Sequence, residues 1–222
     1  MTFSHLPSKI VVLRHPECLH NVAHQEALEQ GIENRFSPLT AAGEAQRDIT
    51  AQYLSETHGQ FDAVFASTFI RTHTIPAQAR FAMIVSHLLD ERNMGVWHTL
   101  PRRRVLEHYP GEEDRLREIG YYHYKAPEGE SCEEVEERIL TFLQHEPHFK
   151  DIDSMLISGH GITGLCFRKI LLGGTVKDWY SWQRLKNASV TVYEKRANGF
   201  ECTLYNHIPW DGLVDTEQGV EA

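Results

Sequence analysis

Two histidines in this chain stand directly after short apolar runs. Arg14-His15 follows Ile10-Val11-Val12-Leu13, and His160, within Ser158-Gly159-His160-Gly161, follows Met155-Leu156-Ile157. Runs of this kind read as buried parallel strands. Ligands of open α/β sheets bind outside the carboxyl ends of the strands, so both imidazoles are expected on one rim. A nucleophilic imidazole beside a guanidinium, with a second imidazole close by, is equipped to accept a phosphoryl group. The ring nitrogen supplies the lone pair, and the cation matches the charge on the phosphoryl oxygens.

The elements that must position these residues alternate between strand and helix. A short helix is expected over about 22–30. Thr40 is an N-cap for a helix running to about Thr57, ended by His58-Gly59. Phe61–Ala66 reads as the next strand, followed by a helix from about Arg71. Pro76 falls inside that helix and should be tolerated only in the first turn or at a kink. Phe81–Leu88 reads as a further apolar strand, and two charged helical stretches lie between Pro101 and Gly120. Ser131 and Glu134 form a capping box for a helix to about Gln144, whose Val135, Ile139, Phe142 and Leu143 make one buried stripe. A helix over about 162–172 closes at Gly173-Gly174. Ala188–Tyr193 and Phe200–Tyr205 should form a hairpin about Asn198-Gly199, a type I′ turn signal. The tail after Pro209 is expected to be irregular. Strands alternating with helices predict an α/β class fold, a three-layer α/β/α sandwich with a mostly parallel central sheet. The 222 residues suit one domain over 1–222, with a substrate-capping region at about 95–130.

Composition removes several function classes. Lys and Arg total 22 against 31 Asp and Glu, a formal charge of −9, which argues against nucleic-acid and anionic-membrane partners. A local arginine cluster can still hold a small anionic substrate. The four cysteines, Cys18, Cys132, Cys166 and Cys202, form no CxxC pair, which points to a reducing compartment without a disulfide scaffold. No leader signature or 18-residue apolar run appears, so a cytoplasmic protein is expected. His20 and His24 have helical i,i+4 spacing, but no carboxylate or thiolate is fixed beside them, and no metal site is expected. Gly159-x-Gly161 lacks the Lys-Ser or Lys-Thr of a phosphate-binding loop, so no nucleotide cofactor is expected either.

In ordered succession the chain shows Arg14-His15-Pro16-Glu17 with Asn21, Leu39-Thr40-Ala41-Ala42-Gly43-Glu44-Ala45-Gln46, and Ser67-Thr68-Phe69-Ile70-Arg71. These are followed by Leu89-Asp90-Glu91-Arg92-Asn93-Met94-Gly95-Val96-Trp97, Gly129-Glu130-Ser131 and finally His160-Gly161. This succession resembles the histidine phosphatase superfamily, which includes cofactor-dependent phosphoglycerate mutases and many small phosphomonoesterases. The resemblance implies that His15 attacks phosphorus and holds a transient phosphohistidine. Arg14 and Arg71 would grip the non-bridging oxygens, His160 would add a further donor with Gly161 beside it, and Asn21 would serve as a neutral donor. Glu91 would protonate the leaving oxygen and later take a proton from water. Glu107, near Gly111, is the rival acid, but Tyr109-Pro110-Gly111 reads as a helix-ending turn. The chain departs from the family pattern at Pro16, where Gly is usual, at Ile75-Pro76 and at Thr99.

Within that family the sequence reads as a phosphatase acting on a small phosphorylated metabolite, without metal or other cofactor. The paired arginines with surrounding Trp, Ser and Tyr that hold a phosphoglycerate are not found. In their place Tyr121–Lys125 offers Tyr122 and Tyr124 as an aromatic wall and Lys125 as a partner for a second anion. Packing of these tyrosines between cap and core is the competing reading. Two other functions stay open: a mutase that returns the phosphoryl group to its substrate, and a binding domain that turns nothing over. An exposed terminal strand offers an edge through which a homodimer can form.

Overall fold

The register of the sheet sets the level of every strand end. In the computed structural model, which describes residues 5–149 and 151–214, six strands form one sheet. They are β1 (Lys9–Arg14), β2 (Ala63–Ala66), β3 (Ile84–Val85), β4 (Ser154–Gly159), β5 (Val190–Arg196) and β6 (Gly199–His207), in the order β3-β2-β4-β1-β5-β6. β1, β4, β2 and β3 run parallel, and β5 and β6 add an antiparallel hairpin at one side. The helices along the chain are α1 (Leu19–Val22), α2 (His24–Glu29), α3 (Ala41–His58), α4 (Ile70–Gln78), α5 (Val96–Thr99), α6 (Arg102–His108), α7 (Glu112–Ile119), α8 (Cys132–His145), α9 (Gly161–Leu172) and α10 (Val176–Ser181).

Alternation along β1 explains the three layers, because successive strand side chains point to opposite faces. Ile10 and Val12 pack with Val135, Ile139 and Phe142 of α8 and Leu165 and Phe167 of α9. Val11 and Leu13 pack with Ala51 and Leu54 of α3 and Ile75 of α4. Both faces of the central strands are covered, which is why they read as unbroken apolar runs. The Ser131–Glu134 capping box forms as expected. Thr40 caps α3 by accepting from the Gly43 amide, and a Cβ at Gly43 would lie 1.9 Å from the Glu17 carbonyl oxygen. The helix therefore presses its first turn against the loop that follows His15, and only glycine fits there.

Several elements differ from the sequence reading. The helix expected over 22–30 is two short ones, α1 and α2, meeting at Ala23. The strand expected over 81–88 shrinks to Ile84–Val85, because Phe81 turns into the core beside α3 and α4 and Ser86 starts a 3₁₀ turn at His87–Leu89. At a sheet edge, apolar character alone does not secure a strand partner. Pro76 sits seventh of nine residues in α4, beyond the first turn. The carbonyl a proline cannot serve is the one four residues back, Thr72, and the Ser158 hydroxyl donates to it at 2.6 Å. Helix α10 was not expected, although its capping box, Thr175 with Asp178, is written in the sequence. The hairpin turns at Ala197-Asn198, with Arg196 paired to Gly199, one residue earlier than the Asn198-Gly199 signal suggested. Residues 209–214 are irregular, with Trp210 buried; 215–222 lie outside the described residues.

Candidate active site

Parallel pairing of Arg14 with Gly159 brings the residues that follow them, His15 and His160, to the same height. Their rings meet edge to face with centroids 5.2 Å apart, at 2% and 0% exposure. The His15 backbone is held on both sides: its amide donates to Gly159, and its carbonyl accepts from the Ala188 amide and the Asn187 side chain. His15 Nδ1 lies 2.6 Å from the Pro16 carbonyl oxygen. An acceptor there requires the proton on Nδ1, so Nε2 keeps its lone pair. Burial, then the Arg71 and Arg14 charges, hold the His15 pKa well below the ordinary value, and the ring is neutral. The substitution of Pro16 for the usual glycine is thus accommodated, since the carbonyl that orients the imidazole is retained.

His160 is oriented from a third strand. Ala66 of β2 pairs with Ser158, so Ser67 follows at the same rim and its hydroxyl lies 2.7 Å from His160 Nε2. His160 Nδ1 is buried without a partner among the described residues. Burial, followed by Arg71, His15 and Arg14, depresses its pKa as well. Phe69 meets this ring edge to face at 5.0 Å, and the Arg71 guanidinium lies 4.6 Å from the Phe69 centroid. Arg71 donates to the Asn34 carbonyl at 2.6 Å and to its side chain at 3.1 Å, while its Nε is buried with no partner among the described residues. Arg14 donates to the Leu185 carbonyl. Two buried guanidiniums therefore flank two neutral imidazoles, and Arg71 Nε and His160 Nδ1 are buried polar atoms without a partner among the described residues.

Glu91 enters from the loop after β3. Its Oε1 accepts from the Arg92 amide at 2.9 Å, and its Oε2 from the Ile162 amide at 3.3 Å at the start of α9. A Cβ built on Gly161 would lie 3.8 Å from both Glu91 Oε2 and the Arg14 guanidinium carbon, so carboxylate and guanidinium converge on that glycine. The loop is tied down at each neighbour. Asp90 accepts from the Thr68 amide and hydroxyl. Arg138 of α8 donates to the carbonyls of Leu88 and Asp90 while paired with Glu130. Arg92, 1% exposed, donates to the carbonyls of Glu130, Tyr121 and Tyr124 and to Cys132 Sγ. A Cβ at Gly95, whose φ is +53°, would lie 2.0 Å from the Pro127 carbonyl, so the two loops touch backbone to backbone.

The sequence-derived residues separate into two groups. His15, His160, Arg14, Arg71, Glu91 and Gly161 come together around one centre. Asn21 lies beside it, its side-chain oxygen accepting from the Cys18 amide and from Asn187. Tyr122, Tyr124 and Lys125 do not line this cleft. Tyr122 is buried against Trp179 and donates to Glu136; Tyr124, fully buried, bonds Trp97 and Glu112; Lys125 pairs with Glu134 at the surface. Their adjacent positions turn in different directions, because the segment wraps around the Arg92 guanidinium instead of forming a flat strand. Tyr121, of the same run, is the one that lines the cleft, with Arg184 and His98. Glu107 is exposed on α6 and paired with Arg104, far from the role of an acid at this centre. Ser67, Asn187, Arg138 and Arg184 were not singled out from sequence; only Ser67, opening the Ser-x-x-x-Arg segment, carried a signal.

The model of the histidine phosphatase superfamily (branch 1) matches residues 10–208. A Shigella boydii protein named "Probable phosphoglycerate mutase GpmB" is 31% identical over 193 residues, covering 82% of this chain and 83% of its own length. The phosphoglycerate mutase-like protein AT74H of Arabidopsis thaliana is 24% identical, over 95% of this chain and 82% of its own. Among solved structures, the alpha-ribazole phosphatase of Shigella flexneri superposes with a TM-score of 0.74 at 16% identity, over 96% of this chain and all of its own length (100%). A mycobacterial glucosyl-3-phosphoglycerate phosphatase gives 0.66 at 19%, over 90% of this chain and 99% of its own. At these identities the structural likeness is one of fold. No helix of the described residues is long and apolar enough to cross a membrane.

Proposed function

This chain belongs to the histidine phosphatase superfamily, and from that membership we propose that it is a phosphomonoesterase working through a phosphohistidine on a small organic phosphate. The observation that carries the reading is the state of His15: neutral, with Nδ1 committed to the Pro16 carbonyl and Nε2 left for phosphorus, between two guanidiniums. Nε2 attacks phosphorus and the ester P–O bond breaks. The departing alkoxide takes the proton of Glu91, held between the Arg92 and Ile162 amides. Arg14, Arg71 and His160 match the charge spread over the equatorial oxygens in the transition state, and Asn21 adds a neutral donor. In the second half, Glu91 accepts a proton from water, the resulting hydroxide attacks phosphorus, and the P–N bond breaks to return His15 and inorganic phosphate.

The test is phosphate release from an aryl phosphate and a panel of sugar and nucleotide phosphates, with His15→Ala in parallel. Release by the wild type that falls at least about 10⁴-fold in His15→Ala supports the reading. Chelation is expected to leave turnover unchanged, and a loss restored by one metal would contradict the metal-free mechanism. An isomeric phosphate ester as product would move the assignment to a mutase, the activity in the name of the Shigella boydii relative. Phosphate-dependent stabilisation without any product would make the protein a binding domain.

A further inference from the structure

The cleft opens on both sides of Glu91, Arg92 and His98. On one side lies a volume of about 740 Å³, reaching Leu28, Ile32 and Phe69. On the other is a smaller lobe of about 150 Å³, reaching Met94, Tyr121, Leu165 and Arg184. Their charges differ. The lining of the large lobe sets Glu33, Asp90, Glu91 and Glu130 among its cations, whereas the described lining of the small one holds Arg14, Arg92 and Arg184 with one carboxylate, Glu91. This local surplus sits in a protein whose formal charge is −9.

Of those three cations, Arg14 belongs to the phosphoryl position, and Arg92 spends its donors on three carbonyls and a thiol. Arg184 spends none: its guanidinium makes no hydrogen bond or ion pair among the described residues, and it lies 5.2 Å from the Tyr121 ring centroid. Among the other exposed arginines, Arg102, Arg104, Arg115, Arg117 and Arg196 are paired with carboxylates, whereas Arg35, Arg80 and Arg103, which have no ion pair among the described residues, do not line this lobe. Stacking on an aromatic ring restricts the guanidinium plane before a ligand arrives, which lowers the entropy lost on binding. His98 also lines the lobe. Its Nδ1 accepts from the Met94 amide at 3.3 Å, so the neutral ring carries its proton on Nε2.

We propose that the small lobe binds a second anionic group of the substrate, a carboxylate or a phosphate, with Arg184 as its charge partner and His98 Nε2–H as a neutral donor. The inference rests on the phosphomonoesterase reading of the adjoining centre and narrows its substrate class to esters with a second anion close to the scissile phosphoryl group. The Arg184 fork suits planar bidentate recognition of either anion. Lys125, the second-anion partner expected from sequence, is taken up by Glu134 instead.

Binding of unreactive phosphonates tests this without turnover. Calorimetry would compare propylphosphonate with 3-phosphonopropanoate (carboxylate arm) and propane-1,3-diphosphonate (phosphate arm). Wild type should bind at least one two-anion ligand about tenfold more tightly than propylphosphonate, and the preferred arm identifies the anion. Arg184→Gln, which keeps a planar group against Tyr121, should abolish that ratio, and Arg184→Lys should restore part of it. A ratio near one in the wild type, or an unchanged ratio in Arg184→Gln, overturns the subsite. Phosphate release from the aryl phosphate, measured separately, decides the phosphatase reading whichever way the ratio falls.

Discussion

Around the ends of β1, β2 and β4, His15, His160, Ser67, Arg71 and Arg14 are each 7% exposed or less, and every one is held, at its backbone or side chain, by a partner from another part of the chain. Along α6 and α7 the pattern reverses. Arg102, Arg104, Arg115 and Arg117 extend into solvent, paired with glutamates and an aspartate one turn away or on the neighbouring helix. The rim holds charge out of water and makes it available to a ligand; the helical segment spends its charge on itself. Burying a guanidinium is costly, and a buried polar atom such as the Arg71 Nε, without a partner among the described residues, is a donor that an anion can satisfy. Arg92 joins the two regions. It is buried like a rim residue, yet its donors hold the chain that returns from α7.

That contrast can be broken experimentally. After the nucleophile itself, the largest effect should come from the acid. Glu91→Gln is expected to lower turnover of alkyl phosphates by about 10²–10³-fold and that of aryl phosphates much less, because only a poor leaving group needs the proton. Glu107→Gln should behave as the wild type for both; a loss at poor leaving groups in that variant instead would exchange the two assignments. For stability, Arg92→Leu should cost about 3 kcal/mol in denaturant unfolding, since it strips donors from three carbonyls at once. A cost below about 1 kcal/mol would show that the loops hold without it.

Acidification separates the regions further. The pKa values of His15 and His160 are depressed in the fold, so below the ordinary value of 6.5 the unfolded chain binds protons that the native state refuses. Stability is then fully present above that value and is lost as pH falls below it. The melting temperature should drop between pH 7 and pH 5, and His160→Gln should flatten the drop. Ser158→Ala should cost about 1–2 kcal/mol by orphaning the Thr72 carbonyl, and less in a Pro76→Ala background, where an amide can take over. The smallest change is expected at the surface: Arg104→Ala should shift stability by no more than about 0.5 kcal/mol, as an exposed ion pair allows.

Legibility in sequence followed the same division. His15, His160 and Arg71 could be read because each follows or opens a regular element, and strand ends of a parallel sheet share one side. Glu91 was readable through its place in an ordered set of segments. Tyr122, Tyr124 and Lys125 were misread because a contiguous aromatic run says nothing about direction once it leaves a period of 2 or 3.6 residues. Here each residue of the run is aimed by a different partner: Tyr121 by Arg92, Tyr122 by Trp179 and Glu136, Tyr124 by Trp97. The length of β3 and the tolerance of Pro76 were likewise set by distant groups, Phe81 packing in one case and the Ser158 hydroxyl in the other.

By itself the sequence determined the three-layer α/β fold, the side of the sheet on which His15 and His160 meet and the identities of the residues at its strand ends. All of these depend on periodic apolar patterning and strand direction, which are local. Tertiary structure alone decided which imidazole nitrogen is free, which arginines retain unspent donors, and which tyrosine and which arginine line the lobe beside Glu91. Those depend on hydrogen-bond partners up to 172 residues away in the chain, as between Asn187 and His15, and no local pattern encodes where such partners will lie.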